Sequence, residues 1–459
     1  MRVLLQLYVL FCTFSCLRTI PSVPHDNLNS SSRSNNQLTP VVLVTCKFTC
    51  RRTANNAFLA LGGAQIYAKW NFTNKPVPSG WNWDCRKVSY FWNQVWMNLD
   101  WFLPLRDSCW LSLVLLQYNS SSHTYDSLEG ITTGVGNGTK NIRYVDKDPF
   151  LFNITYVYDK IIDALVAVGY TADDNLIAFP FDWRIGADAY YNPGGTFDLY
   201  KSTIESAYVK SGNKKVLIVG ESMGNAMTNL FFNNFVNQTW KDKYIKAWIS
   251  MSGIYAGAGI PLYSTVTLNT YQLPKIVGKE LITTALRSFG GIVWLFPDPD
   301  YWSDYVFMST PAGNYTAKDI PSILEKANLK KSLEMYNAVV ATRKFTVRAP
   351  PNVTVYCWHG EAVPTNNYFA YDNDSFQNDP VVGTVSGDGS VPLESLEVCK
   401  KWDTAQSYPV YYKSLVNVTH QGILHNVDVI RDIVSVATAT NVLTFRTTKG
   451  SDTNNDITL

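Results

Sequence analysis

The run Gly220-Glu221-Ser222-Met223-Gly224 carries the clearest chemistry in this chain of 459 residues. It follows an apolar stretch, Val216-Leu217-Ile218-Val219, and precedes a helical pattern from Asn225 to Val236. On such a strand-to-helix turn a serine Oγ is pushed above the sheet, facing the N-terminus of the next helix. The flanking glycines are needed because larger side chains would collide with neighbouring elements. Ser222 is therefore the expected nucleophile. A serine of this kind needs a base, and a carboxylate to orient the base, in the chain order serine, acid, histidine. The five histidines are His25, His123, His359, His420 and His425. Two of them precede Ser222, and His359 ends a strand-like run ahead of the best acid loop, leaving His420 and His425. In Gly387-Asp388-Gly389-Ser390-Val391, Asp388 occupies a tight turn from which it can point at an imidazole. Chemistry alone does not separate the two histidines.

A parallel sheet must hold these groups. Apolar β runs recur at Val41–Val44, Leu176–Phe179, Val216–Val219, Ile245–Met251, Val353–Trp358 and Val410–Tyr412. Helical patterns lie between several of them, at Tyr156–Val168, Thr196–Ser211 and Asn225–Val236. Fully apolar strands alternating with amphipathic helices predict an α/β fold whose mainly parallel sheet is covered on both faces. Two irregular stretches dense in aromatics, about 72–150 and 262–350, read as insertions over that sheet.

Composition narrows the setting. Charged residues are 17% of the chain, below the usual quarter or so, while there are 14 Trp and 27 Tyr. The formal net charge of +2 gives no reason to expect a nucleic-acid partner. Residues 1–19 have the charged start and short apolar core of a secretory signal peptide, and residues 20–39 form a polar linker. Asn-x-Ser/Thr sequons occur at Asn29, Asn71, Asn119, Asn137, Asn153, Asn237, Asn314, Asn352, Asn373 and Asn417, which also suits a secretory route. Beyond Cys12 and Cys16 in the signal segment, Cys46, Cys50, Cys85, Cys109, Cys357 and Cys399 remain. Pairing of neighbours along the chain would join Cys85 to Cys109 and Cys357 to Cys399. No second Cys/His pair stands near Cys46 and Cys50, so a zinc site is not expected.

In their contexts Ser222, Asp388 and His425 resemble the lecithin:cholesterol acyltransferase family, including its lysosomal phospholipase A2 branch. The resemblance runs from about residue 40 to residue 435 and rests on several blocks. Phe181-Asp182-Trp183-Arg184 resembles the family's Tyr-Asp-Trp-Arg. Val306–Pro311 and Asn314-Tyr315-Thr316 resemble a block of its cap, and Val355-Tyr356-Cys357 with Val363-Pro364-Thr365 another segment. Gly387–Val391 with Cys399 fits the acid loop, and Gly422-Ile423-Leu424-His425-Asn426 fits the histidine segment, which favours His425 over His420. Trp96 and Phe102-Leu103-Pro104, between Cys85 and Cys109, resemble a disulfide-closed lid whose tryptophan contacts lipid.

The resemblance implies an α/β-hydrolase domain over residues 40–435, with a lid or membrane-contacting insertion at about 72–150, a cap at about 262–350, and a tail at 436–459. It implies the disulfides Cys85–Cys109 and Cys357–Cys399. It further implies a Ser222 acyl-enzyme that takes an acyl group from a phospholipid and passes it to water or to a sterol or ceramide. His425 would be the base, with Asp388 orienting it. No metal or cofactor is implied. Partners would be phospholipid, an acceptor lipid and a membrane or lipoprotein surface met peripherally, in a secreted or lysosomal setting. In one place the chain departs from the family. Where the family follows its first strand with Pro-Gly, this chain has Thr45–Ala60, in the loop that supplies one oxyanion donor; Met223 N–H should supply the other. A weakened or inactive lipid-binding relative is the alternative this raises. Glu221 stands where many relatives carry histidine.

Overall fold

A computed structural model of the chain describes residues 38–439 apart from 47, 52–57, 62, 97, 103–105, 147–155, 268–277, 344–346 and 377. The expected signal segment, most of the linker, the tail beyond 439 and the sequons at Asn29 and Asn153 lie outside the described residues. Six strands form the central sheet: β1 (Val41–Cys46), β2 (Leu176–Pro180), β3 (Val216–Ser222), β4 (Ile245–Met251), β5 (Val355–Glu361) and β6 (Val410–Val416). Their spatial order is β2-β1-β3-β4-β5-β6, and every neighbouring pair is parallel. Each residue of β3 is buried, which accounts for its unbroken apolar sequence: a central parallel strand has no solvent face.

The order reverses at β1, which has β2 on one side and β3 on the other. Such a reversal opens a crevice at the carboxyl ends of the strands, where open α/β sheets place their sites. Ser222 ends β3 at that crevice, level with Cys46 at the end of β1. Helices α1 (Asp159–Ala167), α2 (Thr196–Lys210), α3 (Met223–Asn234) and α4 (Val427–Thr438) accompany the sheet. Asn426 caps α4, its side-chain oxygen accepting from the N–H groups of Asp428 and Val429. The fold is that of an α/β hydrolase.

Both insertions carry sheets of their own. In the first, Ile66–Asn71 pairs antiparallel with Val88–Trp96 and with Ile131–Val135, so its sheet begins before residue 72. Arg184 of the Phe-Asp-Trp-Arg motif fastens this insertion to the core. It is fully buried and donates to both carboxylate oxygens of Asp182 at 2.6 and 2.9 Å, to Val114 O at 3.0 Å and to Thr133 Oγ1 at 3.0 Å. The second insertion extends past residue 350. Val306–Thr310 pairs antiparallel with Gly313–Thr316 and parallel with Val363–Ala370, which in turn pairs with Val381–Gly387. Disulfides join Cys85 to Cys109 and Cys357 to Cys399. Closing loops of 24 and 42 residues, each stabilises the fold by roughly 3–4 kcal/mol in the chain-entropy account. Among the described residues no helix is long and apolar enough to cross a membrane.

Candidate active site

Ser222 stands between β3 and α3 with φ 58° and ψ −128°, a backbone conformation that costs a non-glycine residue on the order of 1–3 kcal/mol. The surrounding packing holds it there. A Cβ on Gly220 would lie 2.3 Å from Asn225 Oδ1. Asn225 itself donates to Met251 O at 2.7 Å and accepts from Trp248 Nε1 at 3.2 Å, fixing the start of α3 to β4. A residue larger than glycine at 220 would displace the Asn225 amide and break these two bonds.

Ser222 Oγ lies 2.8 Å from Nε2 of His420, and His420 Nδ1 lies 2.6 Å from Asp388 Oδ2. All three residues are fully buried. An ionised aspartate can only accept, so Nδ1 carries the proton and Nε2 is left to accept from the serine hydroxyl. Asp388 is held in turn: its Oδ1 accepts from the N–H groups of Ser390 at 3.1 Å and Val391 at 2.8 Å. The turn needs Gly389, at φ 91°, and Gly389 N–H donates to Thr365 Oγ1 at 2.8 Å. A second latch ties base to acid through the backbone, His420 N–H donating to Asp388 O at 2.7 Å.

The histidine differs from the one the family resemblance favoured. His425 ends a short 3-10 turn, Gly422–His425, and its ring turns away to α1. There Nε2 donates to Asp159 Oδ1 at 3.0 Å, and the ring packs on Tyr156 with centroids 4.0 Å apart. The physical reason lies in the loop after β6. Asn417, at φ 60°, donates its N–H to Glu361 O at 2.8 Å, and the chain then crosses the end of β5. At that crossing a Cβ on Gly360 would lie 1.8 Å from Val418 O. His420 is thereby delivered to the crevice, while His425 falls beyond it. A histidine just after the last strand was the available signal in the sequence.

Trp96 also differs from expectation. Its ring is buried, 5.2 Å from Trp183 and 6.3 Å from Trp110, with no surface for lipid. The exposed aromatics of the same insertion are Trp83, Tyr90, Phe91 and Trp92, with 82, 80, 82 and 48% exposure. Met223 opens α3 next to the nucleophile, and helix N-termini present N–H groups not used within the helix. For the second expected donor, the described backbone carries Thr45 and Cys46 as the end of β1 and pairs Phe48–Arg51 with Phe58–Leu61 as a hairpin; residues 47 and 52–57 of that stretch lie outside the described residues. Glu221 is fully buried, and its Oε1 lies 3.5 Å from His420 Nε2, the same nitrogen that faces Ser222.

The family model described as lecithin:cholesterol acyltransferase matches residues 90–345 and 322–429. The chain is similar to the lysosomal phospholipase A and acyltransferase of Rattus norvegicus, at 30% identity over 365 residues, 79% of this chain and 85% of that protein. It is similar to the phosphatidylcholine-sterol acyltransferase of Gallus gallus at 29% identity over 369 residues, 78% of this chain and 84% of that one. Among solved structures it aligns with a chain titled as the Tle4-Tli4 complex, at a TM-score of 0.39 and 9% identity over 63% of this chain and 72% of that chain.

Proposed function

The chain belongs to the lecithin:cholesterol acyltransferase family, and we propose that it takes a fatty acyl group from a phospholipid onto Ser222 and passes it to water or to an alcohol such as a sterol or ceramide. The observation that carries this reading is the hydrogen-bonded chain Ser222–His420–Asp388. Ser222 Oγ attacks the ester carbonyl as its proton moves to His420 Nε2, and Asp388 holds the ring and balances the imidazolium charge. The oxyanion is met by Met223 N–H. Collapse expels the lysophospholipid alcohol, which takes the proton from His420. Water or an acceptor hydroxyl then gives its proton to His420 and attacks the acyl-enzyme, and Ser222 regains its proton as the product ester or acid leaves. The acceptor alone decides between hydrolysis and transfer.

Since Ser222 is fully buried, an acyl chain reaches it only after neighbouring segments part. Trp83, Tyr90 and Phe91 project from the insertion closed by Cys85–Cys109 and are the groups through which the enzyme would meet a membrane or lipoprotein surface. Of the described sequons, Asn71, Asn119, Asn137, Asn237, Asn314 and Asn417 are exposed, which supports a glycosylated protein of the secretory or lysosomal lumen. An intact triad and the family membership favour this reading over an inactive lipid-binding relative.

The test is fluorophosphonate labelling of the purified protein read by intact mass, with release of fatty acid and of acylated acceptor from phospholipid vesicles. Labelling and turnover that both vanish in Ser222→Ala are expected. A folded wild-type protein that neither labels nor releases acyl groups would overturn the proposal.

A further inference from the structure

We propose that Glu221 is a second carboxylate partner of the His420 ring, one that favours the protonated imidazole and thereby sets the lowest pH at which Ser222 is activated. The inference rests on the acyl-transfer reading and deepens it. Two carboxylates bracket one imidazole: Asp388 Oδ2 at 2.6 Å from Nδ1 and Glu221 Oε1 at 3.5 Å from Nε2. Both carboxylates are fully buried, so water screens neither strongly. The two differ in what they do to the base. Asp388 binds the Nδ1–H that is present throughout the cycle, and so orients the ring. Glu221 stands beside the nitrogen that gains and loses the proton, so its charge acts on the protonated ring and hardly on the neutral one.

Neutral and acidic groups are among those that face Glu221 from other elements. From β1 comes Thr45, its neighbour in register. Tyr158, just before α1, donates its hydroxyl to Val44 O at 3.0 Å, and the Glu221 charge adds to the burial that holds its phenol in the protonated state. Tyr200 of α2 is buried on the same side, bonded to Thr228. From the acid loop comes Asp388, behind the ring. Glu221 and His420 form an ion pair once the ring is protonated.

Two effects of opposite use follow. A protonated ring cannot take the Ser222 proton, so an ionised Glu221 moves the acid limb of the rate profile to higher pH. Once Ser222 has given up its proton, the same charge stabilises the imidazolium formed in the transition state and raises the plateau rate. An opposite charge at this distance shifts such an equilibrium by about 1–3 pH units.

The experiment compares wild type with Glu221→Gln in two profiles over pH 4–9 (about the span in which a histidine base titrates). One is the fluorophosphonate labelling rate of Ser222, and the other is kcat/KM on phospholipid vesicles. In the variant the acid limb of both is expected to move down by about one unit or more, and the plateau to fall by about tenfold or more. Should Glu221→Gln fail to fold by circular dichroism, Glu221→Asp, which keeps the charge but draws it back from Nε2, is expected to move the limb the same way by a smaller amount. An acid limb that stays in place in the folded variant overturns the inference, because Glu221 then carries no charge that His420 feels. Wild type inert in both assays would instead sink the acyl-transfer reading itself.

Discussion

Replacing one histidine at a time separates the two candidates sharply. In His420→Ala, Ser222 loses the acceptor at 2.8 Å that takes its proton. Loss of the base from a triad costs on the order of 10⁴–10⁶ in kcat, because nucleophile, base and acid act as a unit. The fold should survive, since Asp388 keeps the N–H donors of Ser390 and Val391. In His425→Ala the loss falls elsewhere. Asp159 is buried to 4% exposure, and its Oδ1 gives up a partner at 3.0 Å, with Lys160 Nζ still 3.8 Å from Oδ2. A buried acceptor left short of one bond costs about 1–3 kcal/mol. With an unfolding entropy of about 2.1 cal/mol/K per residue, a chain of 459 residues loses roughly 1 kcal/mol per degree, so Tm should fall by about 1–3 °C. Labelling of Ser222, phospholipid turnover and a thermal melt on the three proteins make the assay. His420→Ala should be silent in the first two and melt about 1–3 °C lower in the third, because buried Asp388 Oδ2 gives up its partner at 2.6 Å, and His425→Ala should be within a few-fold of wild type in activity. A silent His425→Ala beside a His420→Ala that still turns over would refute the assignment of His420 as the base.

Three further outcomes are expected. Phe91→Ser should weaken vesicle binding by roughly 30-fold without changing hydrolysis of a short soluble ester, since about half of a ring of some 150–250 Å² entering lipid contributes about 2 kcal/mol; sedimentation with vesicles reads the first and a chromogenic ester the second. Arg184→Lys should lower Tm by about 2–4 °C, because an ammonium cannot serve Asp182, Val114 O and Thr133 at once and leaves buried acceptors unmet; unchanged melting would show that the clamp is idle. Burial pushes the phenols of Tyr158, Tyr200 and Tyr255 well above their ordinary range near pH 10, so they stay protonated in the folded chain while the unfolded chain ionises. The stability present below about pH 10 is then lost as pH rises, and part of the phenolate absorbance should appear together with the loss of circular dichroism; a smooth titration of every tyrosine in a still-folded protein would contradict it.

The central strands and Ser222 were legible because their determinants are local. An unbroken apolar run means a strand buried on both faces, and a serine between glycines at its end means a sharp turn. Asp388 was legible for the same reason, its turn being closed by Gly389 and by its own side chain. The histidine was not, because the choice between positions 420 and 425 depends on contacts distant in sequence: Asn417 with Glu361, Val418 against Gly360, and His420 with Asp388. Trp96 misled for a different reason. Exposure along Val88–Trp96 does not alternate but changes from one end to the other, the last three residues running into the core while Tyr90, Phe91 and Trp92 project. Two-residue periodicity carries no information where a strand is half inside and half outside the body. The pairing of Val363–Ala370 with a strand more than fifty residues earlier was not legible either, because chain order does not reveal pairing partners.

The two departures from the family pattern stand far apart in sequence and side by side in the sheet. Thr45, the first residue of the added stretch, continues β1 in register with Glu221, and Cys46 continues it level with Ser222. The stretch therefore begins by lengthening the strand that flanks the nucleophile, and its hairpin Phe48–Arg51/Phe58–Leu61 grows beyond that end. Thr45 Oγ1 is buried with no hydrogen-bond partner among the described residues, beside the Glu221 carboxylate. The pattern this chain resembles, with Pro-Gly directly after β1 and a histidine at the elbow, implies one kind of surrounding for the serine; a longer β1 and a glutamate make another. If the two departures act together, then histidine alone at position 221 should shift the pH profile differently from the same change made with a shortened loop, because Thr45 would still occupy the position beside it. Glu221→His compared with Glu221→His carrying a shortened Thr45–Ala60 loop decides the point: equal profiles would mean that the two departures act independently.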